Sequence, residues 1–178
     1  MTLALREAWK YQGLTYPNPA VGCVVVAQNG AILAIEAHKK AGAPHAEVEA
    51  LKAAYYKLTC DEIILNLTNS ADIHTYLLQN HNNYFNGATI FTTLEPCSHV
   101  GKTPSCANLL SKLGIKKLFV GSKDSHEIAS GGSQIVKNTG VEVQEHLMEK
   151  ECDALLEPFK LSQEKQFVFF KWAQRLNG

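Results

Sequence analysis

The sequence lacks an excess of charge of either sign. Its 178 residues carry 17 Lys and Arg against 17 Asp and Glu, which gives a formal net charge of zero. Proteins that bind nucleic acids or anionic membranes attract them through a positive field, which this composition does not supply. No run of about 20 apolar residues is present that could span a bilayer. We therefore expect neither a nucleic-acid partner nor a membrane partner.

Cysteine is also scarce, and its count is odd. Five cysteines in 178 residues are too few for a disulfide scaffold. No leader with a basic end and an apolar core opens the sequence, so we expect a cytoplasmic protein. Two sets of residues are given no chemical role: cysteines assigned to packing, Cys23, Cys60 and Cys152, and histidines assigned to the surface, His38, His74, His81 and His146.

Helical and strand-like patterns alternate along the chain. Helical spacing of apolar residues marks residues 1–12, the segment that begins at Pro44, and residues 104–113, 133–138 and 146–156. Apolar runs typical of strands mark residues 20–27, 31–37, 88–93, 117–121, 141–144 and 167–172. The first two runs flank Asn29-Gly30, a pair that supplies the positive φ angles of a tight hairpin turn. This alternation predicts a layered α/β domain with a mixed sheet.

Three potential zinc ligands lie at junctions between loops and helices. His45 opens a predicted helix, Cys97 follows a predicted strand, and Cys106 begins the next helix. One imidazole and two thiolates suit zinc and leave a fourth position open for water, which indicates a catalytic rather than a structural zinc site. A helix start also favours a thiolate over a thiol.

Glu47 follows His45 by two residues and could reach such a water without binding the metal. It would take a proton from the water and hand it to a leaving amine, as in zinc deaminases with an H-x-E and P-C-x-x-C signature. Here eight residues separate the two cysteines where that signature has two. The longer loop carries His99 and Lys102, which could hold a phosphate.

Three segments carry a resemblance to a known family: residues 16–22 (YPNPAVG), 44–48 (PHAEV), and 93–104 (TLEPCSHVGKTP) with Cys106. They closely resemble the deaminase domain of the bifunctional riboflavin biosynthesis deaminase/reductase. The resemblance implies a three-layer α/β/α cytidine deaminase-like fold with a mixed central sheet. It also implies zinc-dependent hydrolysis of 2,5-diamino-6-ribosylamino-4(3H)-pyrimidinone 5′-phosphate to 5-amino-6-ribosylaminouracil 5′-phosphate and ammonia.

The resemblance also assigns roles to single residues. His45, Cys97 and Cys106 match the ligands of one zinc ion per chain, and Glu47 matches the proton shuttle. The implied substrate-binding residues are Asn18 for the pyrimidine, His99 and Lys102 for the ribose phosphate, and Asp124 for the ribose. Residues 125–127 read Ser-His-Glu where the family has Pro-Asn-Pro, and Ser105 replaces a frequent proline.

The family pattern divides the chain into two parts. Residues 1–157 form the deaminase domain, in which 59–87 is an insertion longer than the family's usual link and is expected to add a helical element at one edge. Residues 158–178 are expected to form a linker and the first strand of an otherwise absent reductase domain, so NADP is not expected in this chain. The implied ligand is a small pyrimidine ribonucleotide, and the implied assembly is a homo-oligomer, a dimer or tetramer.

Two other functions remain open on the sequence. A nucleobase, nucleoside or tRNA deaminase of the same superfamily would have a similar site, although the long cysteine spacer and zero net charge disfavour it. A catalytically silent zinc module would need no proton shuttle, so Glu47 argues against that alternative.

Overall fold

The structure is a computed structural model that describes residues 1–99, 103–124 and 130–164. The helices in this part are α1 (Thr2–Trp9), α2 (Ala46–Thr59), α3 (Ile63–Asn66), α4 (Ser70–Asn80), α5 (Cys106–Leu110), α6 (Gly132–Lys137) and α7 (Glu149–Glu164). The strands are β1 (Gly22–Val26), β2 (Ile32–Ala37), β3 (Thr89–Leu94), β4 (Lys117–Ser122) and β5 (Glu142–Gln144). The predicted alternation of helices and strands is confirmed, and the strand predicted at 167–172 lies outside the described residues.

The five strands form one mixed sheet in the order β2-β1-β3-β4-β5. Strand β1 is antiparallel to β2 and to β3, whereas β3, β4 and β5 are parallel. Two antiparallel steps make β2 parallel to β3, so the carboxyl ends of β2, β3 and β4 lie at the same edge of the sheet. The amino end of β1 lies at that edge as well. Residues flanking these strand ends are therefore brought together.

Helices cover both faces of the sheet, as the three-layer prediction requires. Alternate residues of a strand point to opposite faces. On one face Gly22 lies against α1, and Gly121 lies against Cys152 of α7. On the other face Cys23, Ile90 and Val120 join the main core with α2, α4 and α5. The helices of the two faces thus belong to separate layers.

The hairpin between β1 and β2 forms as predicted, but its turn differs from the prediction in one respect. Gly30 alone has a positive φ, of 87°, while Asn29 does not. The amide of Gly30 donates to the carbonyl of Ala27 at 2.9 Å, and the Asn29 side chain accepts from the amide of Ala31 at 3.0 Å. Only the glycine adopts the left-handed conformation, while Asn29 contributes a side-chain hydrogen bond to the turn.

The segment 59–87 is helical, as expected, and contributes to the core. Its helices α3 and α4 pack against α2. Ile64, Ile73 and Leu77 are fully buried in the main cluster. The side chain of Asn69 accepts from the amide of Asp72 at 2.8 Å and so caps α4. This segment is therefore a packed part of the domain.

Cys60 and His74 do not lie where the sequence analysis placed them. Cys60, expected to pack, is exposed at the end of α2, where it has a left-handed conformation with a φ of 55°. His74, expected at the surface, is buried on the inner side of α4, and burial lowers its pKa to about 4. His146 is exposed, as predicted.

Helix α7 is continuous from Glu149 to Glu164 with Pro158 inside it. The predicted boundary between residues 157 and 158 thus falls within one helix, and the assignment of 158–178 to a linker and a reductase strand stays a prediction. None of the helices in the described ranges is long and apolar enough to cross a membrane.

Replacing Gly22 by Ala is expected to lower the free energy of unfolding by about 3 kcal/mol. A Cβ atom there would lie 2.0 Å from the carbonyl oxygen of Ala4, so α1 would have to move. The matched control is Gly30→Ala, where no atom lies within 4 Å and only a positive φ opposes the change; we expect a loss of about 1 kcal/mol. Urea denaturation measures both, and equal losses would contradict the close approach of α1.

Candidate metal centre and pocket

Three side chains converge at the sheet edge where β2, β3 and β4 end. Nδ1 of His45 lies 3.7 Å from Sγ of Cys97 and 3.5 Å from Sγ of Cys106. The three atoms lie within 4.8 Å of one another. Although 52 and 61 positions separate His45 from the two cysteines, the fold brings their donor atoms to one point. These residues could hold a metal ion.

The local structure at His45 leaves its imidazole free for this purpose. His45 occupies the N-cap position of α2 in an extended conformation, with a φ of −67° and a ψ of 160°. Its side chain makes no capping hydrogen bond, so helix capping does not account for a histidine at this position. The extended backbone instead turns the ring toward the two sulfur atoms.

The start of α5 holds the two cysteines together. Ser105 is the N-cap residue: its Oγ accepts from the amide of Asn108 at 3.2 Å and donates to the carbonyl of Cys97 at 2.8 Å. The amide of Cys106 donates to Sγ of Cys97 at 3.3 Å. An amide donor at a helix start stabilises a thiolate. Ser105, at the position of the family's frequent proline, therefore supplies both a cap and a link to the Cys97 segment.

The geometry of the three donors fits zinc. Zinc binds sulfur at about 2.3 Å and nitrogen at about 2.0–2.1 Å, and tetrahedral angles then place nitrogen and sulfur about 3.6 Å apart. The observed separations of 3.7 and 3.5 Å agree with this value. An imidazole with two thiolates is a donor set that zinc prefers, and three protein ligands leave one position open.

The charges at the centre influence one another. The hydrogen bond from the Cys106 thiol, with His45 nearby, holds the pKa of Cys97 well below its usual range despite burial. A thiolate is the form that binds metal. Glu47 is 4% exposed, and burial raises its pKa to about 7, although the nearby charge of His45 acts to lower it. A carboxyl group in this environment can hold a proton or release it near neutral pH.

A pocket with a volume of about 550 Å³ opens beside the three donors. Its walls include the predicted site residues His45, Glu47, Cys97, Asn18, His99 and Asp124. His99 is exposed at the rim, whereas Glu47 is buried. Lys102 lies outside the described residues, so its predicted role stays a prediction. Volumes of roughly 300–1,000 Å³ are typical of pockets for small ligands.

His38 is a site residue that the sequence analysis placed at the surface. It is 3% exposed and lines the pocket immediately after β2. Its Nδ1–H donates to the carbonyl of Pro44 at 2.9 Å, since a carbonyl can only accept. Burial lowers the pKa of His38, so Nε2 is unprotonated at neutral pH and accepts from the Asn18 amide at 3.0 Å. His38 thereby fixes which end of that amide faces the pocket.

Glu95 is a second residue whose role the sequence analysis missed. Its buried carboxylate accepts hydrogen bonds from the amides of Asp124, Gly131 and Ser133 at 3.3, 3.1 and 3.0 Å. Gly131 and Ser133 lie at the start of α6, where free amides could otherwise bind an anion such as phosphate. Because Glu95 already occupies these donors, the cap is the observed arrangement.

Residues 1–122 match the family model of the cytidine and deoxycytidylate deaminase zinc-binding region. The chain belongs to this family. The match spans the helix start at His45, both cysteines and the strands that position them. A zinc-binding deaminase domain is thus indicated both by the family and by the donor atoms that the fold brings together.

Relatives of this deaminase domain include the riboflavin biosynthesis proteins RibD of Aquifex aeolicus (strain VF5) and Actinobacillus pleuropneumoniae. Each is 38% identical to the chain over 181 aligned positions, which cover the whole chain but 43% and 41% of the relatives. The chain therefore spans less than half the length of these relatives.

A solved structure with the same fold is that of a diaminohydroxyphosphoribosylaminopyrimidine deaminase/5-amino-6-(5-phosphoribosylamino)uracil reductase from Thermotoga maritima. Its TM-score against this deaminase domain is 0.74 at 34% identity, and the match covers 94% of this chain and 41% of that one. The predicted cytidine deaminase-like fold is confirmed.

The metal centre predicts a specific effect of replacing one cysteine. The parent protein is expected to bind one equivalent of zinc, whereas Cys106→Ser should lower zinc affinity by at least about tenfold, because a hydroxyl replaces a thiolate ligand. Cys60→Ser, which alters an exposed cysteine remote from the centre, should bind zinc like the parent. Competition with a chromogenic chelator measures the affinity. Unchanged zinc binding by Cys106→Ser would contradict the assigned ligand set.

Proposed function

We propose that the chain catalyses hydrolytic deamination of 2,5-diamino-6-ribosylamino-4(3H)-pyrimidinone 5′-phosphate, with zinc bound by His45, Cys97 and Cys106. The observation that carries the proposal is the position of Glu47, a buried carboxyl group that lines the same pocket as the donor residues His45 and Cys97. A structural zinc site needs no such acid. The product is 5-amino-6-ribosylaminouracil 5′-phosphate, and the amino group leaves as ammonia.

The substrate assignment is supported by two features. The relatives are named as riboflavin biosynthesis proteins, and the Thermotoga maritima protein is named as a deaminase of this pyrimidine phosphate. The loop after Cys97 carries His99 and Lys102, two groups suited to a phosphate, where the nucleobase deaminase signature has a two-residue spacer. Both features favour the riboflavin precursor over a nucleobase, nucleoside or tRNA substrate.

Each proposed binding residue has a defined task. His99 and Lys102 hold the ribose phosphate, and Asp124 holds the ribose at the pocket wall. Asn18, whose amide is oriented by His38, meets the polar edge of the pyrimidine. Binding energy from the phosphate and ribose then places C2 of the ring beside the metal centre.

Glu47 carries out the proton transfers. His45, Cys97 and Cys106 would hold the zinc ion, which would supply a water whose pKa is lowered to about 7 as the nucleophile for C2. Glu47 takes a proton from that water and delivers it to the ring nitrogen next to C2. It then passes the second proton of the water to the departing amino group, so that ammonia leaves and C2 keeps the oxygen.

Other predictions concern the ligand, the oligomeric state, the cellular location and NADP. The ligand is a small pyrimidine ribonucleotide, and a homo-oligomer, a dimer or tetramer, stays a prediction of the sequence. A cytoplasmic location also stays a prediction. So does the expectation that NADP belongs to a reductase portion at the carboxyl-terminal side of residue 157.

Substituting Glu47 by Gln tests the proton shuttle. We expect kcat to fall by at least about 100-fold, because an amide cannot accept and return the proton, while the zinc content stays at one equivalent. The matched control is Glu49→Gln on the same helix turn, whose carboxylate faces Lys39 at 3.6 Å; its kcat should equal that of the parent. Coupled detection of ammonia gives the rates, and a fully active Glu47→Gln would refute the role.

A substrate panel tests the substrate assignment. The parent is expected to release ammonia from the diaminopyrimidine phosphate and none from cytidine, guanine or a tRNA hairpin. Lys102→Ala should raise KM by about tenfold with little change in kcat, because a phosphate contact is made equally in the ground and transition states. Turnover of cytidine, guanine or the hairpin in place of the pyrimidine phosphate would instead support the alternative deaminase.

A further inference from the structure

Glu95 links two segments that border the pocket. It follows β3 directly and precedes Cys97 by two residues, and its own amide donates to the carbonyl of Ser122 at the end of β4. Its side chain reaches the segment that follows β4. There Oε2 accepts from the amide of Asp124 at 3.3 Å, and Oε1 accepts from the amides of Gly131 and Ser133.

The carboxylate is suited to this position by its chemistry. Glu95 is 6% exposed, and a buried charge is costly unless several hydrogen bonds satisfy it. A carboxylate accepts at both oxygens, so it can satisfy three amide donors at once. Two of these donors, Gly131 and Ser133, lie at the start of α6, whose first amides have no partner within the helix.

The backbone around Glu95 is closely packed. A Cβ atom on Gly132 would lie 1.7 Å from the carbonyl oxygen of Pro96, so α6 rests directly on the segment between Glu95 and Cys97. The same glycine faces Ala107 of α5. The metal-ligand segment and the start of α6 are thus in contact, and Glu95 extends this contact to Asp124.

We propose that Glu95 is a positioning residue that sets the place of Asp124 in the pocket relative to the metal ligand Cys97. The inference rests on the proposed function. Asp124 and Cys97 belong to different segments that follow neighbouring parallel strands, and both line the pocket, as does Glu95 itself. Glu95 acts on the substrate through the Asp124 segment, so its loss weakens binding of the ribose phosphate more than it slows the chemical step.

The isosteric variant Glu95→Gln separates this role from simple packing. A glutamine keeps the size of the side chain, but its NH2 group cannot accept, so at least one of the three amides loses its partner. We expect KM for the pyrimidine phosphate to rise by about tenfold, while kcat stays within about twofold of the parent. The zinc content should remain at one equivalent.

A matched control is Glu145→Gln. Glu145 pairs with Lys123, the residue before Asp124, at 3.6 Å, but it does not line the pocket. Removing this partly exposed ion pair should change KM by less than about twofold. A rise in KM equal to that of Glu95→Gln would show that any disturbance near Lys123 has the same effect, and would overturn the proposal.

A double-mutant cycle with Asp124→Ala decides whether Glu95 acts through Asp124. If it does, adding Glu95→Gln to Asp124→Ala should change KM by less than about twofold, because the positioned group is already gone. Equal effects of Glu95→Gln in the two backgrounds would overturn the proposal. So would a fall in kcat and zinc content at unchanged KM, which would place the role of Glu95 at the metal.

Amide hydrogen exchange in the zinc-loaded protein tests the hydrogen bonds of Glu95 without any measurement of enzyme activity. Glu95→Gln should accelerate exchange by at least about tenfold at one or more of the amides of Asp124, Gly131 and Ser133. Unchanged exchange at all three overturns the proposal even if the enzyme is active. If the parent does not turn over the pyrimidine phosphate, the proposed function fails, and the exchange rates still decide whether Glu95 holds the Asp124 segment.

Discussion

The approach of one imidazole nitrogen to two sulfur atoms is the interaction on which the site depends. Nδ1 of His45 lies 3.7 and 3.5 Å from the sulfur atoms of Cys97 and Cys106, at a spacing that a tetrahedral zinc ion would bridge. Without a cation, a buried thiolate beside a second thiol and the carboxyl group of Glu47 would be costly. The amide of Cys106 and the start of α5 offset part of that cost before any metal binds.

The strand directions of the sheet explain why the site forms at one edge. Strands β2, β3 and β4 run the same way, and β1 runs opposite to them. Consequently His38 after β2, Cys97 after β3 and Asp124 after β4 meet Asn18 before β1. In α/β proteins ligands bind beyond the carboxyl ends of parallel strands. The buried groups His38 and Glu95 then fix the orientation of Asn18 and the position of the Asp124 segment.

The metal centre could be predicted because His45 and Cys106 stand at the starts of helices and Cys97 follows a strand. The order of the alternating elements likewise indicated the layered α/β fold. His38 and Glu95 could not be identified in this way, because their roles depend on which strand ends are neighbours. Cys60 was placed wrongly: it lies at the end of α2, where its side chain is exposed. His74 is buried because α4 packs inward, and residues 59–87 gave no clear periodicity from which to expect that.

Crystallography of the zinc-loaded protein, with anomalous difference maps recorded on both sides of the zinc edge, is the most direct test of this centre. We expect a single peak per chain at about 2.3 Å from both cysteine sulfur atoms and about 2.0–2.1 Å from Nδ1 of His45, with a fourth position open to the pocket beside Glu47. A peak elsewhere, or a fourth protein ligand that closes the centre, would contradict a catalytic zinc site.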